Sequence, residues 1–473
     1  MKNSLGKLFN PDSIAIFGAS EDLTRIGGLT LHFLLRHGYK GRIYPVNPKY
    51  KKIRGLSCYA AITDIPDPVD LALIGIPRAS VFKALQQCAA KKTPFAILFS
   101  AGYAEMGASG KTEQERLKDF GRRAGIRIVG PNCIGIINAH DRVASSFVSG
   151  LEMEKILPGG MALITQSGGI GNTILTRAQD RSIGLSCFVS SGNELDLEAA
   201  DFLEYFLHDP KTQAIAFLLE DLKDPWKFSR MAEKARRVGK PILVLKVGRS
   251  EKGRQAASSH TGAISGGDSF YEALFRQRGI IRVDAIDDLF ETANLFVRCG
   301  RATGNRAAIL STSGGSGALL ADLASDHRID LPLPSNGTRT RLKDWTPTVS
   351  AITNPMDITT QFMNDPEAIS VYLHAFGDDR KFDLLILMLT FSSASKSAEI
   401  AEVIAGIAPS LRKPLIVCWP VGNMAGQAFR ILEKAGVPLF FQPERCLSAL
   451  GCFIRHGMGR AYPKERIGPN FNT

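Results

Sequence analysis

Short apolar runs alternate with amphipathic stretches along this chain of 473 residues, and turns rich in glycine and serine separate them. Three segments share one order, an apolar run, a Gly/Ser-rich turn and a helix-like stretch: residues 13–20, 161–171 and 307–317. A buried strand that enters a helix through such a turn is the repeating element of open parallel α/β sheets. The pattern therefore predicts three doubly wound α/β domains.

The first predicted domain covers residues 1–140 and has the most regular alternation. An amphipathic stretch at residues 79–91 has helical spacing, and four further apolar runs follow the first one, at residues 41–46, 71–76, 95–99 and 126–129. Strands that alternate with helices form a parallel sheet covered on both faces. We therefore expect a Rossmann-like domain here.

The second and third predicted domains, residues 150–298 and 304–462, resemble each other. Three pairs of segments match: residues 163–169 with 309–315, 192–196 with 353–357, and 240–248 with 413–422. The repeat is far longer than that of a solenoid, so it predicts domain duplication. The polar, glycine-containing stretches at 139–158 and 298–306 are the predicted linkers.

Composition narrows the class of protein. The longest uncharged apolar run, residues 384–391, is much shorter than a membrane span, and we expect a cytoplasmic protein that does not contact membranes. Eight cysteines are scattered without the spacing of a metal site or a disulfide framework. The net charge of +12 comes from dispersed basic residues, which favours a small polyanionic ligand over nucleic acid.

His260 stands in a Ser-His-Thr-Gly-Ala segment after a strand-like run at 241–248. A histidine in a loop at the carboxyl end of a parallel strand can carry a phosphoryl group, although a histidine in such a loop is often only solvated or caps a helix. Glu220 ends another apolar run, residues 214–219, and its carboxylate could fix the imidazole tautomer. The alternative for Glu220 is a surface acid at a strand end.

Two Gly/Ser turns are candidates for binding phosphate. Backbone N–H groups at a helix N-terminus bind anions, and glycine lets the anion approach closely. Each turn could equally be a tight turn without a ligand, but two of them could close on one phosphate. The residues are Gln166, Ser167, Gly168 and Gly169 in one turn, and Ser313, Gly314 and Gly315 in the other.

The turn Gly18-Ala19-Ser20 in the first domain departs from the spaced glycines of dinucleotide-binding proteins. The second predicted strand is followed by Lys49 and not by the acid that would bind a ribose hydroxyl. We interpret this turn as favouring a phosphorylated nucleotide other than NAD, with a basic turn that binds no ligand as the alternative.

Taken together, these motifs resemble those of the NDP-forming acyl-CoA synthetases, relatives of succinyl-CoA synthetase, and in particular the α-type chain of ADP-forming acetyl-CoA synthetases. The resemblance covers about residues 8–460, and the Ser-His-Thr-Gly-Ala segment is its most specific element. It implies an α/β fold with an N-terminal Rossmann-like CoA-binding domain and two duplicated flavodoxin-like domains of the succinyl-CoA synthetase type. It also implies that His260 is the phosphoryl carrier and Glu220 its partner.

The resemblance further implies a set of residues that contact CoA. Cys133 would lie near the CoA thiol without acting as a nucleophile. No metal ligand is implied on this chain. The CoA-binding residues that the resemblance implies are Gly18, Ala19, Ser20, Lys49, Ile76, Pro77, Ser100, Ala101, Gly102, Glu105 and Cys133.

The implied reaction converts acyl-CoA, ADP and phosphate into a carboxylic acid, ATP and CoA through an acyl phosphate and phospho-His260. The nucleotide and Mg²⁺ would bind an ATP-grasp β-type subunit, because the three predicted domains leave no segment for that module, and the assembly would be a hetero-oligomer. Two other functions stay open: an ATP-dependent lyase relative that cleaves its CoA thioester, and a CoA-binding scaffold without activity. The sequence does not indicate which carboxylic acid is the substrate.

Overall fold

The computed structural model describes residues 5–261, 267–346, 351–359 and 367–459. The chain divides into two compact units, which we describe separately. Unit 1 contains residues 1–179 and 184–289, and unit 2 contains residues 180–183 and 290–473.

The first sheet of unit 1 is entirely parallel, with the strand order β2-β1-β5-β6-β7. Its strands are β1 (Ser13–Phe17), β2 (Arg42–Val46), β5 (Leu71–Ile74), β6 (Phe95–Leu98) and β7 (Arg127–Val129), and a small hairpin is formed by β3 (Lys52–Ile53) and β4 (Leu56–Ser57). The helices around this sheet are α1 (Gly6–Phe9), α2 (Ile26–Arg36), α3 (Arg78–Lys91) and α4 (Ala108–Ala124). The parallel sheet predicted from the alternation is confirmed, and its order corresponds to the 2-1-3-4-5 order of doubly wound sheets.

The second sheet of unit 1 has the order β14-β13-β12-β10-β11-β8-β9. Its parallel strands are β10 (Pro158–Thr165), β11 (Leu185–Ser190), β12 (Ala214–Leu219), β13 (Ile242–Lys246) and β14 (Ile281–Val283), and an antiparallel pair, β8 (Gly135–Asn138) and β9 (Val143–Ser146), extends it beside β11. The helices are α5 (Gly168–Asp180), α6 (Ala199–His208), α7 (Pro225–Val238), α8 (Glu251–Thr261) and α9 (Asp268–Arg278), and α10 (Ile286–Cys299) begins in unit 1 and continues into unit 2. A single hydrophobic core cluster includes side chains from both sheets, so the two sheets of unit 1 pack as one body.

The prediction of a linker over residues 139–158 is wrong, because β9 lies inside that range. All four residues of β9 are buried, and Ser145 and Ser146 are fully enclosed. The Ser146 hydroxyl donates a hydrogen bond to the carbonyl of Ile134 at 2.5 Å. A serine that is buried and paired in this way has the polarity of a loop residue in the sequence, which explains the error.

Unit 2 contains a five-stranded parallel sheet with the order β16-β15-β17-β18-β19. Its strands are β15 (Ala307–Ser311), β16 (Met356–Asp357), β17 (Leu384–Met388), β18 (Leu415–Cys418) and β19 (Leu439–Phe440). Its helices are α11 (Gly314–Asp326), α12 (Asn336–Leu342), α13 (Glu367–Asp378), α14 (Ala394–Ile407), α15 (Gly426–Lys434) and α16 (Pro443–Gly457). The five parallel strands of the second sheet follow this same 2-1-3-4-5 order.

The register of these two sheets corrects one of the sequence matches. Val189 pairs with Ile164 in the second sheet, and Met356 pairs with Leu310, the residue equivalent to Ile164, in the third. Met356 therefore corresponds to Val189, so the match between residues 192–196 and 353–357 is wrong. The Asn-x-x-Asp likeness of the two segments is accidental, because one follows a strand and the other enters one.

Candidate functional site

A pocket of about 1150 Å³ opens where the strands of the first sheet end. The turns after β1, β2, β5 and β6 form its wall, on both sides of the point where the strand order reverses between β1 and β5. Ligands of doubly wound sheets bind at this point because the turns diverge there and leave a crevice.

The pocket wall is basic. Among the residues that line it, four are basic, Arg25, Lys49, Arg78 and Lys83, and the single acid is Asp22. Asp22 is itself 3.2 Å from the Arg25 guanidinium group, which leaves an excess of positive charge. This balance suits a ligand that carries several phosphate groups.

Local conformation explains why the first turn contains glycine. Gly18 has a φ of +79°, and a Cβ atom there would lie 2.7 Å from the carbonyl oxygen of Gly75. The loop after β2 is tied to this turn, since the Asn47 side chain donates to the Ala19 carbonyl at 2.8 Å and accepts from the Lys49 N–H at 3.0 Å. Lys49 is thereby held at the pocket.

The pocket includes most of the residues that the resemblance implies for CoA, but not all of them. Seven line it: Gly18, Ser20, Lys49, Ile76, Pro77, Ser100 and Ala101. The other four, Ala19, Gly102, Glu105 and Cys133, are not among the residues that line the pocket. Arg25, Arg78 and Lys83 were missed, although Arg25, directly before α2, and Arg78, the first residue of α3, were a usable signal.

Glu105 and Cys133 have other contacts. Glu105 accepts hydrogen bonds from the Gly102 N–H and the Asn193 side-chain amide, both at 2.6 Å. Burial raises the pKa of Glu105, but these hydrogen bonds outweigh it and the pKa is lowered. Cys133 is buried, its thiol donates to the Leu98 carbonyl at 3.3 Å, and burial raises its pKa to about 12, which makes it a poor nucleophile.

A second group of polar residues lies where the strands of the second sheet end. Gln166, directly after β10, accepts from the N–H groups of Glu220 at 2.6 Å and Asp221 at 3.0 Å, and it donates to the Asp221 carbonyl at 2.7 Å. One amide side chain thus holds the end of β12 in place. Gln166 was predicted to bind phosphate, and the structure places its side chain on the Glu220 backbone.

Lys246 and Tyr271 complete this group, and the sequence did not point to them. The Lys246 ammonium group donates to the carbonyls of Glu220 at 2.7 Å and Val247 at 2.5 Å, and it lies 4.5 Å from the centre of the Tyr271 ring. The Tyr271 hydroxyl donates to the Asp221 carboxylate at 2.6 Å. Lys246 is the last residue of an apolar strand, so the sequence predicts only that the strand ends there. Its contacts with the Glu220 carbonyl and Tyr271 become visible only in the folded structure.

Glu194 is a further acid near Gln166 that sequence analysis missed. It is 5% exposed, accepts from the Ser191 hydroxyl at 2.8 Å through Oε1, and has a φ of +54°. Its Oε2 atom is buried and has no hydrogen-bond partner in the described part of the chain. Burial raises the pKa of Glu194 to about 7, against the opposing effect of the Ser191 hydrogen bond.

Helix α8 starts shortly after β13 and includes position 260. The sequence predicts a loop there, and this prediction is wrong for the backbone up to Thr261. The segment contains alanine, lysine, arginine and glutamine, which favour helix, so the helix extends through the serines before it ends. The side chain of His260 lies outside the described residues, and its role stays a prediction.

The two candidate phosphate turns begin helices, as predicted. Helix α5 starts at Gly168 and α11 at Gly314, so the amide groups of their first turns have no acceptor within the helix. Gly169 in the first turn is exposed, as are Gly314 and Gly315 in the second. Both turns therefore present N–H groups that an anion could reach, each within its own unit.

No group of three or more histidine, cysteine, aspartate or glutamate side chains among the described residues could hold a metal ion. No described helix is long and apolar enough to cross a membrane.

Comparison with known proteins gives the families of the two regions that contain these residues. A family model of a CoA binding domain matches residues 12–139, which include the basic pocket. A family model of the succinyl-CoA ligase-like flavodoxin domain matches residues 158–296, which include Gln166, Glu220 and Lys246. The fold is thus that of a CoA-binding domain joined to a succinyl-CoA ligase-like domain.

Relatives over nearly the whole chain narrow the class further. The α subunit of ADP-forming acetate–CoA ligase II from Pyrococcus furiosus is 32% identical over 95% of this chain and 97% of its own. ADP-forming acetate–CoA ligase I from Archaeoglobus fulgidus is 34% identical over 98% of this chain, which spans 64% of that longer protein. A solved structure from Ca. Korarchaeum cryptofilum, described as dinucleotide-forming acetyl-coenzyme A synthetase 1 in complex with phosphate and ADP, aligns with a TM-score of 0.90 at 32% identity over 97% of this chain and 98% of that one.

This chain belongs to the ADP-forming acetate–CoA ligase family and corresponds to its α-type chain. The family resemblance, inferred from the motifs together with the Ser-His-Thr-Gly-Ala segment as the most specific, is confirmed.

Proposed function

We propose that this chain is the CoA-binding and phosphohistidine-bearing subunit of an acid–CoA ligase. It would convert an acyl-CoA, ADP and phosphate into the carboxylic acid, ATP and CoA, and the reverse. One combination carries the proposal: the basic pocket at the end of the first sheet occurs together with a second sheet in which Glu220 follows β12 and the neighbouring strand β13 leads into helix α8, which includes position 260.

The pocket residues support binding of CoA. Lys49, Arg25, Arg78 and Lys83 would neutralise the phosphate groups, and Gly18 would allow the ligand to approach the backbone. We retain Ala19, Gly102, Glu105 and Cys133 as predicted neighbours of CoA. Since Glu105 holds the Gly102 N–H, its effect on CoA would be exerted through that loop.

His260 would act as the phosphoryl carrier. Phosphate attacks the acyl-CoA carbonyl and CoA thiolate leaves, which gives an acyl phosphate; His260 then attacks the phosphorus atom and the carboxylate leaves. Glu220 would hold the imidazole tautomer that leaves the attacking nitrogen unprotonated. The turns at 166–169, in unit 1, and 313–315, in unit 2, are each proposed to bind phosphoryl oxygens through their own backbone N–H groups.

The last step transfers the phosphoryl group to ADP, and we propose that it takes place on an ATP-grasp partner subunit. That subunit would also hold Mg²⁺, whose chemical contribution is to neutralise the charge on the transferred phosphate.

We also propose that residues 150–298 and 304–462 arose by duplication, after a CoA-binding domain at 1–140. The two sheets share the order of their parallel strands. Equivalent bonds follow their first strands, because Ser191 N–H donates to Thr165 at 2.9 Å and Ile358 N–H donates to Ser311 at 2.8 Å.

Phosphorylation measured by intact mass tests this function. The purified chain is incubated with phosphate, magnesium and a panel of acyl-CoAs, beside His260→Asn. We expect an acid-labile gain of one phosphoryl group with the correct acyl-CoA, and no gain in the variant, while the variant keeps its affinity for CoA.

A Lys49→Ala variant and a Lys40→Ala control examine the pocket separately. Lys49 lines the pocket, whereas Lys40 is exposed and does not line it. Loss of one charge-assisted contact should weaken CoA binding by roughly tenfold in Lys49→Ala. If the chain is phosphorylated with none of the acyl-CoAs, even with the ATP-grasp partner present, the proposal fails and a CoA-binding scaffold is favoured. If a carbon–carbon bond of the acyl group is cleaved, the lyase is favoured instead.

A further inference from the structure

Lys246 is a buried lysine that neither the proposed mechanism nor the fold explains. It is the last residue of β13, and 3% of its surface is exposed. Burial lowers the pKa of its ammonium group to about 8, although the nearby Asp221 and Asp268 carboxylates oppose that shift. A buried lysine is costly, so the charge at this position needs a reason.

The simplest reason would be mechanical, because Lys246 joins the ends of two strands. It donates to the Glu220 carbonyl at the end of β12 and to the Val247 carbonyl after its own strand. This would hold the residue that is proposed to support phosphohistidine. If the joining were all that mattered, a neutral N–H donor would suffice.

Unit 2 contains that neutral donor. Ile242 pairs with Ile215, and Leu415 pairs with Leu385, so Trp419, directly after β18, is the counterpart of Lys246, the last residue of β13. The Trp419 indole N–H donates to the carbonyl of Phe391 at 2.9 Å, one residue after Thr390, the counterpart of Glu220, and Trp419 is fully buried. The architecture therefore needs a donor at this strand end and does not need a charge.

We propose that Lys246 is a positioning residue of the phosphoryl-transfer site, and that its charge stabilises the Glu220 strand end when a phosphoryl group arrives there. This inference rests on the proposed function. The arriving phosphoryl group brings about two negative charges. The buried positive charge of Lys246 is already hydrogen-bonded to the Glu220 carbonyl, so it would offset part of this negative charge without a rearrangement.

The comparison of Lys246→Gln with Lys240→Gln tests this inference. Glutamine keeps an N–H donor for the carbonyls and removes the charge. Lys240 is the matched control, because it precedes the same strand and donates to two backbone carbonyls, Phe206 at 2.8 Å and Asp209 at 2.7 Å, at the opposite edge of the sheet. Both variants are measured for phosphoenzyme yield with acyl-CoA and phosphate, and for CoA affinity.

We expect the phosphoenzyme yield of Lys246→Gln to fall about tenfold and that of Lys240→Gln to stay within roughly twofold, with CoA affinity unchanged in both. Lys246→Arg should recover part of the yield because it restores the charge. An equal loss in both glutamine variants, a loss of CoA affinity in Lys246→Gln, or no recovery with arginine would overturn the inference. A wild-type chain that never becomes phosphorylated would instead overturn the proposed function, and the inference with it.

The pH dependence gives a readout that a purely structural role would not change. The groups that face Lys246 are Glu220 and Asp221 after β12, Asp268 and Tyr271 on α9, and Arg282 on β14. Since the protonated lysine favours the phosphorylated state, the wild-type yield should decline as the pH rises above 8. Lys246→Gln should lack that decline, and a decline that persists in this variant would assign it to another group.

Discussion

The second sheet of unit 1 and the sheet of unit 2 use the same hydrogen bonds at equivalent positions but fill them with different chemistry. After the first strand, Gln166 accepts from the Glu220 N–H at 2.6 Å in one sheet, and Thr312 accepts from the Thr390 N–H at 2.9 Å in the other. The lysine at the end of β13 has Trp419, directly after β18, as its counterpart. The hydrogen bond that both sheets share stabilises the fold, whereas the residues that differ between them are candidates for the function.

At three equivalent positions, the second sheet of unit 1 has a titratable residue where the sheet of unit 2, the third sheet, has a neutral one. The second sheet has acids at 220 and 221 and a lysine at 246, whereas the third has Thr390, Phe391 and a tryptophan. Titratable groups are costly where strands end in a buried edge, so a sheet without a reaction replaces them with neutral donors and aromatic packing. We therefore expect the phosphoryl chemistry to depend on the second sheet far more than on the third.

The largest expected effect on the phosphohistidine yield comes from replacing Glu220, the acid that follows β12. Glu220→Gln should lower the phosphohistidine yield by about a hundredfold, because glutamine is uncharged and no longer stabilises the imidazolium form of the phosphorylated ring. Thr390→Val is its counterpart in the third sheet and should change the yield by less than roughly threefold. The measurement is intact mass after incubation with acyl-CoA and phosphate; similar losses in the two variants would contradict the contrast between the sheets.

The next expected effect is on the pH dependence of the free energy of unfolding, through the buried Glu194, which follows β11 of the second sheet. The pKa of Glu194 in the folded chain is about 7, above its ordinary value of 4.5, so the folded state binds more protons between these pH values. The stability that this group contributes is fully present below about pH 4.5 and is lost as the pH rises through 7.

Glu194→Gln should consequently be more stable than wild type at pH 8, by on the order of 2 kcal/mol, and nearly equal to it at pH 5. Denaturant unfolding at the two pH values measures the difference. Glu154→Gln serves as the control, because Glu154 is exposed and its exchange should change neither value. A stability gap that is the same at both pH values would mean that Glu194 is charged throughout.

The smallest expected effects on the phosphoenzyme yield come from replacing one glycine in each of the two candidate phosphate turns. A Cβ atom at Gly169 would meet nothing within 4 Å, and one at Gly315 would meet only the Ser313 hydroxyl at 4.0 Å. Alanine at either position should therefore leave folding intact, and any loss would come from a ligand that can no longer approach. We expect Gly169→Ala to lower the phosphoenzyme yield about tenfold and Gly315→Ala about threefold. An unchanged Gly315→Ala would remove the third-sheet turn from the site.

The local pattern of the sequence was enough for a large part of this picture. Apolar runs that end in Gly/Ser turns predicted the parallel sheets, since burial on both faces requires continuous apolar strands. The Ser-His-Thr-Gly-Ala segment led to the family, and the turns at 18–20 and 166–169 were placed correctly at the starts of helices α2 and α5 or in the loops before them. These features are short, and each depends only on residues that are adjacent in the chain.

The tertiary structure decided what depends on residues far apart in the chain. Lys246, Asp221 and Tyr271 are unremarkable in sequence, and only the packing of α9 against the ends of β12 and β13 brings them together. The burial of Ser146, whose hydroxyl donates to the Ile134 carbonyl, and the pairing of Met356 with Leu310 were likewise not visible in the sequence, because the partner of each residue is known only when the chain is folded. Local periodicity determines which segments are strands and helices, whereas strand register and the pairing of buried charges are set by contacts across the sheet.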